Sequence, residues 1–111
     1  MNWILLTTPE QVSEIKVKSA TSFQVIFKHS TRCSISSMVL NRLERSDAPA
    51  DIDFYFLDLI AHRSISNLVA ETFQIHHESP QLLLIRNGEC IYEESHMGID
   101  MDELTAQLLP A

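Results

Sequence analysis

The chain has 111 residues, of which 45% are hydrophobic and 21% charged, with two glycines and four prolines. This composition excludes disordered, collagen-like and low-complexity chains, and the length predicts a single domain over residues 1–111. The net charge of −7 argues against a nucleic-acid partner.

The apolar runs are too short to cross a membrane. The longest of them, residues 3–6 and 82–85, fall far below the roughly 20 residues that a spanning helix needs. No leader pattern opens the chain, so we expect a cytoplasmic protein with no membrane partner. In that reducing compartment Cys33 and Cys90 are expected to be thiols.

Charge is divided unevenly along the chain. The first 45 residues hold six Lys or Arg and three Asp or Glu, whereas the remainder holds two and twelve. The electropositive segment is therefore the one that contains Cys33, and positive potential favours a thiolate over a thiol.

The first strand and helix are predicted from a short apolar run and a helix-start signal. Trp3–Thr7 has the apolar character of a strand. Thr8 can cap a helix that begins at Pro9, and Gln11 is placed to complete a capping box. We therefore expect a helix from Pro9 to about Ser19.

The second strand and helix are separated by a polar loop. Phe23–Lys28 carries apolar side chains on both faces, which favours a central strand. After the polar residues 29–32, apolar residues recur at three- and four-residue spacing from Cys33 to Arg45, which predicts a helix. Met38 belongs to this apolar stripe, and we expect it to fill the core.

The second half of the chain predicts three more strands and two more helices. Asn87-Gly88 is a strong signal for a hairpin between two of these strands. The predicted elements are a strand at Asp53–Leu59, a helix with a Ser64 cap that continues through Phe73, strands at Leu82–Arg86 and Glu89–Glu93, and a helix from about Asp100 through Leu108. The order βαβαβαββα predicts an α/β fold in which helices cover both faces of a mixed central sheet.

Cys33 is the candidate nucleophile. It follows a buried strand and a polar loop, and it lies in the first turn of a predicted helix, where unpaired N–H groups and the helix dipole stabilise a thiolate. Thr31, Arg32 and Ser34 flank it at the helix start, and Ser36, one turn on, can donate a hydrogen bond to the sulfur. The alternative is an inert, buried cysteine, but the polar flanks favour the reactive one.

Two basic neighbours extend this candidate site. Lys28 and His29 precede the cysteine by five residues or fewer and can add positive potential. For His29 this role and that of an ordinary surface residue are equally plausible. His29 and Cys33 with His76 and His77 lack the spacing of zinc ligands, so no metal site is predicted.

No resolving thiol lies near Cys33 in the sequence. Ser36 stands where a Cys-x-x-Cys motif has its second cysteine. Cys90 alternates with Glu89 and Ile91 in a predicted strand, and we interpret it as a structural residue in preference to a resolving one.

A second segment connects the cysteine to a known superfamily. Residues 73–89, from Phe73 through Ser79-Pro80 to Glu89, resemble the thioredoxin superfamily, in which a cis-proline loop precedes a hydrophobic strand and an Asn-Gly hairpin. Together with a cysteine at a helix start, this resemblance covers nearly the whole chain and implies a thioredoxin-like fold.

Within that superfamily, two segments are most similar to the monothiol bacilliredoxins of the bacillithiol system, the YtxJ-like general stress family. They are Lys28-His-Ser-Thr-Arg-Cys-Ser-Ile-Ser-Ser37 and His77-Glu-Ser-Pro-Gln81. One departure is clear, since Ser34 stands where the family has proline after the cysteine. We expect it to affect the reactivity of the thiol more than the fold.

The resemblance implies a monothiol oxidoreductase that removes a small thiol from mixed disulfides on client proteins. Cys33 would attack and retain the small thiol, while Pro80 and the backbone at Ser79 would dock the client. Bacillithiol or a similar small thiol would be a co-substrate, with no permanently bound cofactor. The implied partners are S-thiolated proteins, the small thiol and a disulfide reductase.

Two other functions are compatible with the same residues. In one, the protein is a non-catalytic redox sensor or stress adaptor, whose Cys33 is modified reversibly. In the other it is a thiol peroxidase, which requires a base and oxyanion donors that the polar loop does not obviously provide.

Overall fold

The computed structural model describes residues 1–108, and its elements follow the predicted order. The strands are β1 (Trp3–Leu5), β2 (Gln24–His29), β3 (Asp53–Asp58), β4 (Gln81–Arg86) and β5 (Glu89–Ser95), and the helices are α1 (Pro9–Lys18), α2 (Ser34–Glu44), α3 (Arg63–Phe73) and α4 (Met101–Ala106). A short 3₁₀ turn, His96–Gly98, precedes α4. The predicted single domain also includes residues 109–111, which lie outside the described part.

Two predicted local signals are confirmed. The capping box at the start of α1 forms, because Gln11 N donates to Thr8 Oγ1 at 3.3 Å and Thr8 N donates to Gln11 Oε1 at 3.1 Å. In the hairpin between β4 and β5, Asn87 has φ 55° and Gly88 has φ 76°. Positive φ at both positions is what a two-residue hairpin turn with the right twist requires.

The start of α3 differs from the prediction. Ser64 lies inside the helix, which begins at Arg63 with His62 as its N-cap residue. The preceding turn is set by Asp58, whose Oδ1 accepts hydrogen bonds from Ile60 N at 3.0 Å and Ala61 N at 3.3 Å. This side-chain-bonded turn brings the chain into the helix earlier than a serine cap would.

The five strands form one mixed sheet in the order β1-β3-β2-β4-β5. Strands β1, β3 and β2 are parallel, β4 pairs with β2 in antiparallel fashion, and β5 closes the hairpin on β4. The carboxyl ends of the parallel strands therefore meet at one edge, and β4 begins at that edge. This edge carries the polar loops that follow β2 and β3.

Helices cover both faces of the sheet, as predicted. One face packs against α1 and α3 through a core of eleven buried residues, and the other packs against α2 and α4 through a core of ten. The central position of β2 explains why its side chains are buried on both faces. Among residues 1–108 no helix has the length and apolarity to cross a membrane.

The prediction for Met38 is wrong. Its side chain is 56% exposed, and Ile35 on the same helix is 40% exposed. The residues of α2 that face the sheet are Ser36, Val39 and Leu43. Successive residues of a helix are rotated by about 100°, so Met38 falls beside this buried row.

Candidate active site around Cys33

Cys33 lies at the amino end of α2, in the loop that follows the end of β2. It is the N-cap residue, with extended backbone (φ −108°, ψ 119°), and it is partly exposed. Its carbonyl accepts the first bond of the helix, from Ser37 N at 3.1 Å. The first turn of α2 contains no acidic residue, so nothing in that turn offsets the positive end of the helix dipole beside the sulfur.

The exposed flanks of the cysteine are Thr31, Arg32 and Ser34. In the described part of the chain, no hydrogen bond or ion pair holds the guanidinium of Arg32. With exposed neighbours on both sides, the partly exposed cysteine is accessible from solvent.

Ser36 does not bond the sulfur, contrary to expectation. Its Oγ accepts a hydrogen bond from Ser30 N at 3.1 Å and lies 2.7 Å from His29 Nδ1. A hydrogen bond between Ser36 Oγ and His29 Nδ1 therefore joins these two side chains. Within residues 1–108, no hydrogen bond reaches Cys33 Sγ.

His29 is neither a surface residue nor a source of positive charge. The residue is 5% exposed, and the centroid of its ring lies 6.0 Å from that of Phe27 and 5.4 Å from that of Phe56. Burial lowers the pKa of His29 below its usual range. The histidine is therefore neutral at pH 7, and it joins the end of β2 to the first turn of α2 through Ser36.

Lys28 points to the opposite face of the sheet and is fully buried. Its Nζ lies 3.1 Å from His77 Nδ1 and donates to the Ser66 carbonyl of α3 at 3.4 Å. Burial lowers the pKa of Lys28 to about 8. The sequence analysis missed these contacts, although Lys28 is two residues from Ile26 and therefore shares its buried face.

The Ser79–Pro80 peptide bond is cis, as the resemblance to thioredoxins implies. The proline lies beside the end of β2, because its neighbour Gln81 pairs with Lys28 across the two strands. The Pro80 carbonyl accepts a hydrogen bond from His96 N at 3.0 Å. The hydroxyl of Ser79 is buried, and nothing in residues 1–108 bonds it.

Gln81 secures the segment before the proline, and the sequence analysis missed it too. Its buried amide donates to His76 O at 3.0 Å and to Glu93 Oε2 at 3.1 Å. Its Oε1 accepts a hydrogen bond from Glu78 N at 3.4 Å. A glutamine at the first position of a buried strand is the signal that could have found this role, because a buried amide needs partners.

Cys90 lies at the other end of the sheet. It pairs with Ile85, which sits beside Gln24 at the start of β2, whereas Cys33 follows the end of β2. The five residue steps from Gln24 to His29 along β2 correspond to about 16 Å. The two cysteines are therefore much farther apart than the roughly 7 Å between Cα atoms that a disulfide allows. Burial also raises the pKa of the Cys90 thiol to about 11.

No group of three or more His, Cys, Asp or Glu side chains in residues 1–108 is arranged to hold a metal ion. The residues brought together at the carboxyl edge are thus one accessible thiol, a neutral histidine–serine pair and a cis-proline. This arrangement can perform thiol–disulfide exchange, which needs an accessible thiolate and a surface for the second disulfide sulfur.

Solved structures share this fold. A thioredoxin-fold protein proposed to be an oxidoreductase is 27% identical, with a TM-score of 0.77, over 93% of this chain and 90% of the other. Malassezia sympodialis thioredoxin is 18% identical, with a TM-score of 0.70, over 96% and 87%. Chlamydomonas reinhardtii thioredoxin f2 is 15% identical, with a TM-score of 0.67, over 96% and 94%. Fold and site together define a thioredoxin-fold protein of thiol redox chemistry.

Comparison with protein families gives a more specific assignment than the fold. The family described as monothiol bacilliredoxin BrxC matches residues 4–104, which is most of the chain. The protein belongs to the monothiol bacilliredoxin family.

Proposed function

We propose that the protein is a monothiol oxidoreductase that reduces mixed disulfides between client proteins and a small thiol, with Cys33 as its attacking group. The observation that carries the proposal is the isolation of an accessible Cys33 at the same edge of the sheet as the cis-proline, with Cys90 at the far end. Family membership supports bacillithiol as the small thiol.

The first step is a disulfide exchange. The Cys33 thiolate attacks the small-thiol sulfur of the mixed disulfide, a bond forms between these two sulfurs, and the client sulfur leaves as a thiolate that takes up a proton from water. The small thiol then resides on Cys33. Pro80 and the Ser79 backbone dock the client chain beside the sulfur, by main-chain pairing of the kind that extended peptides use.

The second step needs a reductant from outside the chain. A free small thiol, as its thiolate, attacks the small-thiol sulfur on Cys33, which releases the Cys33 thiolate and a symmetric small-thiol disulfide. A separate disulfide reductase returns that disulfide to two thiols with two electrons from its own reduced cofactor and two protons. Because this cycle depends on a reduced pool of small thiol, we place the protein in the cytoplasm.

Mass spectrometry of three proteins tests the proposal. Wild type, Cys33→Ser and Cys90→Ser are each incubated with a bacillithiolated client protein, and intact masses are measured before and after free bacillithiol is added. We expect wild type and Cys90→Ser to accumulate the same adduct, which free thiol discharges, while Cys33→Ser forms none.

Two results would contradict the mechanism. In the first, wild type loses its adduct spontaneously and gains an internal disulfide, while Cys90→Ser keeps the adduct. In the second, Cys33 is modified by the symmetric small-thiol disulfide, but the client is never reduced, which is the behaviour of a sensor or adaptor.

A further inference from the structure

A buried cation lies beneath the segment that carries the cis-proline. We call residues 76–80 the proline loop. Lysine is almost never fully buried unless it has a partner. Lys28 has no exposed surface, and the partner of its Nζ is His77 Nδ1 in this loop, at 3.1 Å. The mechanism above makes no use of this contact.

The contact fixes the protonation of the histidine. An ammonium group has donors only, so His77 Nδ1 accepts and the ring proton is on Nε2. Ser66, on α3, adds its carbonyl at 3.4 Å from Nζ and its hydroxyl at 3.4 Å from the same ring nitrogen. The three side chains therefore join β2, α3 and the proline loop at one point.

The charged groups around His77 favour its neutral form. Burial lowers the pKa of His77 below the usual range, and Lys28 from β2, Arg63 from α3 and His76 from the loop lower it further. Glu78, also in the loop, acts in the opposite direction. A protonated His77 could not accept from the ammonium, so acid would break the contact.

The proline loop is held on its other side by the Gln81 amide, through the backbone of His76 and Glu78. His77 supplies the side-chain link to α3. We propose that Lys28 is a positioning residue, which holds His77 and thereby fixes the proline loop in the conformation that docks a thiolated client. This inference rests on the proposed function, because client docking at Pro80 is part of it.

Steady-state kinetics with a bacillithiolated peptide tests the role in docking. We expect Lys28→Met and His77→Leu each to raise KM about tenfold, the effect of losing one charge-assisted hydrogen bond, with kcat within twofold of wild type. The double variant should be no worse than either single one. His77→Gln, which keeps an acceptor, should restore most of the docking.

Matched controls separate docking from general damage. Lys16→Met removes an exposed ammonium near the opposite end of the sheet and should leave KM unchanged. Alkylation of Cys33 by iodoacetamide does not need the proline loop, so its rate should be the same in all variants. An unchanged KM in both Lys28→Met and His77→Leu would overturn the proposal.

NMR titration of the His77 ring tests the contact without catalysis. We expect the titration of His77 to move to higher pH in Lys28→Met and to stay in place in Lys16→Met. The KM of wild type should rise as the pH falls through that titration, and the KM of His77→Gln should not. If His77 titrates at the same pH in Lys28→Met as in wild type, the inference is refuted. A wild type that reduces no client would refute the proposed function, while the titration would still decide whether Lys28 holds the loop.

Discussion

The polar side chains near Cys33 bond one another and leave the sulfur free. Ser36 connects His29 to the backbone of Ser30, and Arg32 is exposed just before the helix start. Because the cysteine is the N-cap residue and makes no capping bond, its sulfur is available for exchange. The reactivity that we propose for Cys33 rests on its position at the helix start and on its access to solvent, which are the properties that distinguish reactive from structural cysteines.

The two cysteines should differ in their rates of alkylation. With a pKa of about 11, only about one Cys90 in a few thousand is a thiolate at pH 7.5, and the thiolate is the form that reacts. Iodoacetamide at that pH, followed by peptide mapping, should therefore label Cys33 well before Cys90. In denaturant both sites should react at similar rates. Equal rates in the folded protein would contradict the assignment.

Ser36 should matter for stability more than its neighbour Ser37. Ser36→Ala leaves His29 Nδ1 and the Ser30 N–H without a partner, and a buried polar group that loses its partner costs about 1–3 kcal/mol. Urea unfolding should show this loss. Ser37→Ala is the control, since Ser37 is exposed on the same helix and the change should stay within about 0.5 kcal/mol. Similar losses in both variants would argue against the His29–Ser36 bond.

At the scale of elements, the sequence predicted the order of strands and helices because each element has its own local signal. The Thr8 capping box and the Asn87-Gly88 turn are such signals, and both form. Contacts between elements were not predictable in this way. Met38 fits an apolar stripe but lies beside the buried row of α2, and the contact of Lys28 with His77 joins residues 49 positions apart.

The start of α2 has room for the proline that Ser34 replaces. Ser34 is the first helical residue, where a missing N–H costs nothing, and the extended backbone of Cys33 (φ −108°, ψ 119°) is the conformation that a following proline demands. Ser34→Pro should therefore raise the free energy of unfolding by about 0.4–1 kcal/mol, because it restricts the unfolded chain.

Ser37→Pro is the matched control for this prediction. Its N–H donates to Cys33 O at 3.1 Å, so a proline there removes the first bond of the helix and collides with that carbonyl. We expect a loss of about 3 kcal/mol, measured by the same urea titration. A destabilising Ser34→Pro would mean that the first turn of α2 departs from helical geometry.

For the whole molecule, the sheet separates two kinds of polar group at its carboxyl edge. On the face covered by α2, the neutral His29–Ser36 pair joins the end of β2 to the first turn of α2. On the face covered by α3, Lys28 places a buried charge under the proline loop. A buried charge costs stability even when it is hydrogen-bonded. The burial of the Lys28 charge should therefore lower the free energy of unfolding of the whole protein.

The pH dependence of stability should report the burial of Lys28. Its pKa is about 8 in the folded protein and 10.5 ordinarily, so between these values the unfolded chain keeps a proton that the folded chain has lost. Stability rises with pH wherever the unfolded state binds more protons. Wild type should therefore gain about 3 kcal/mol relative to Lys28→Met between pH 8 and 10.5.

Urea unfolding of wild type, Lys28→Met and Lys16→Met at pH 7.5 and 10.5 measures this gain, and other groups that titrate in the interval cancel between the proteins. At pH 7.5 the buried charge is present, and Lys28→Met should be at least as stable as wild type, since an apolar side chain of similar size often replaces a buried charge without loss. At pH 10.5 the order should reverse, because the neutral amine of wild type still donates to His77, and methionine cannot.

The difference between wild type and Lys16→Met should not change with pH, since that lysine is exposed. If the difference between wild type and Lys28→Met is equally independent of pH, the ammonium of Lys28 reaches solvent in the folded protein and is not the buried cation under the proline loop.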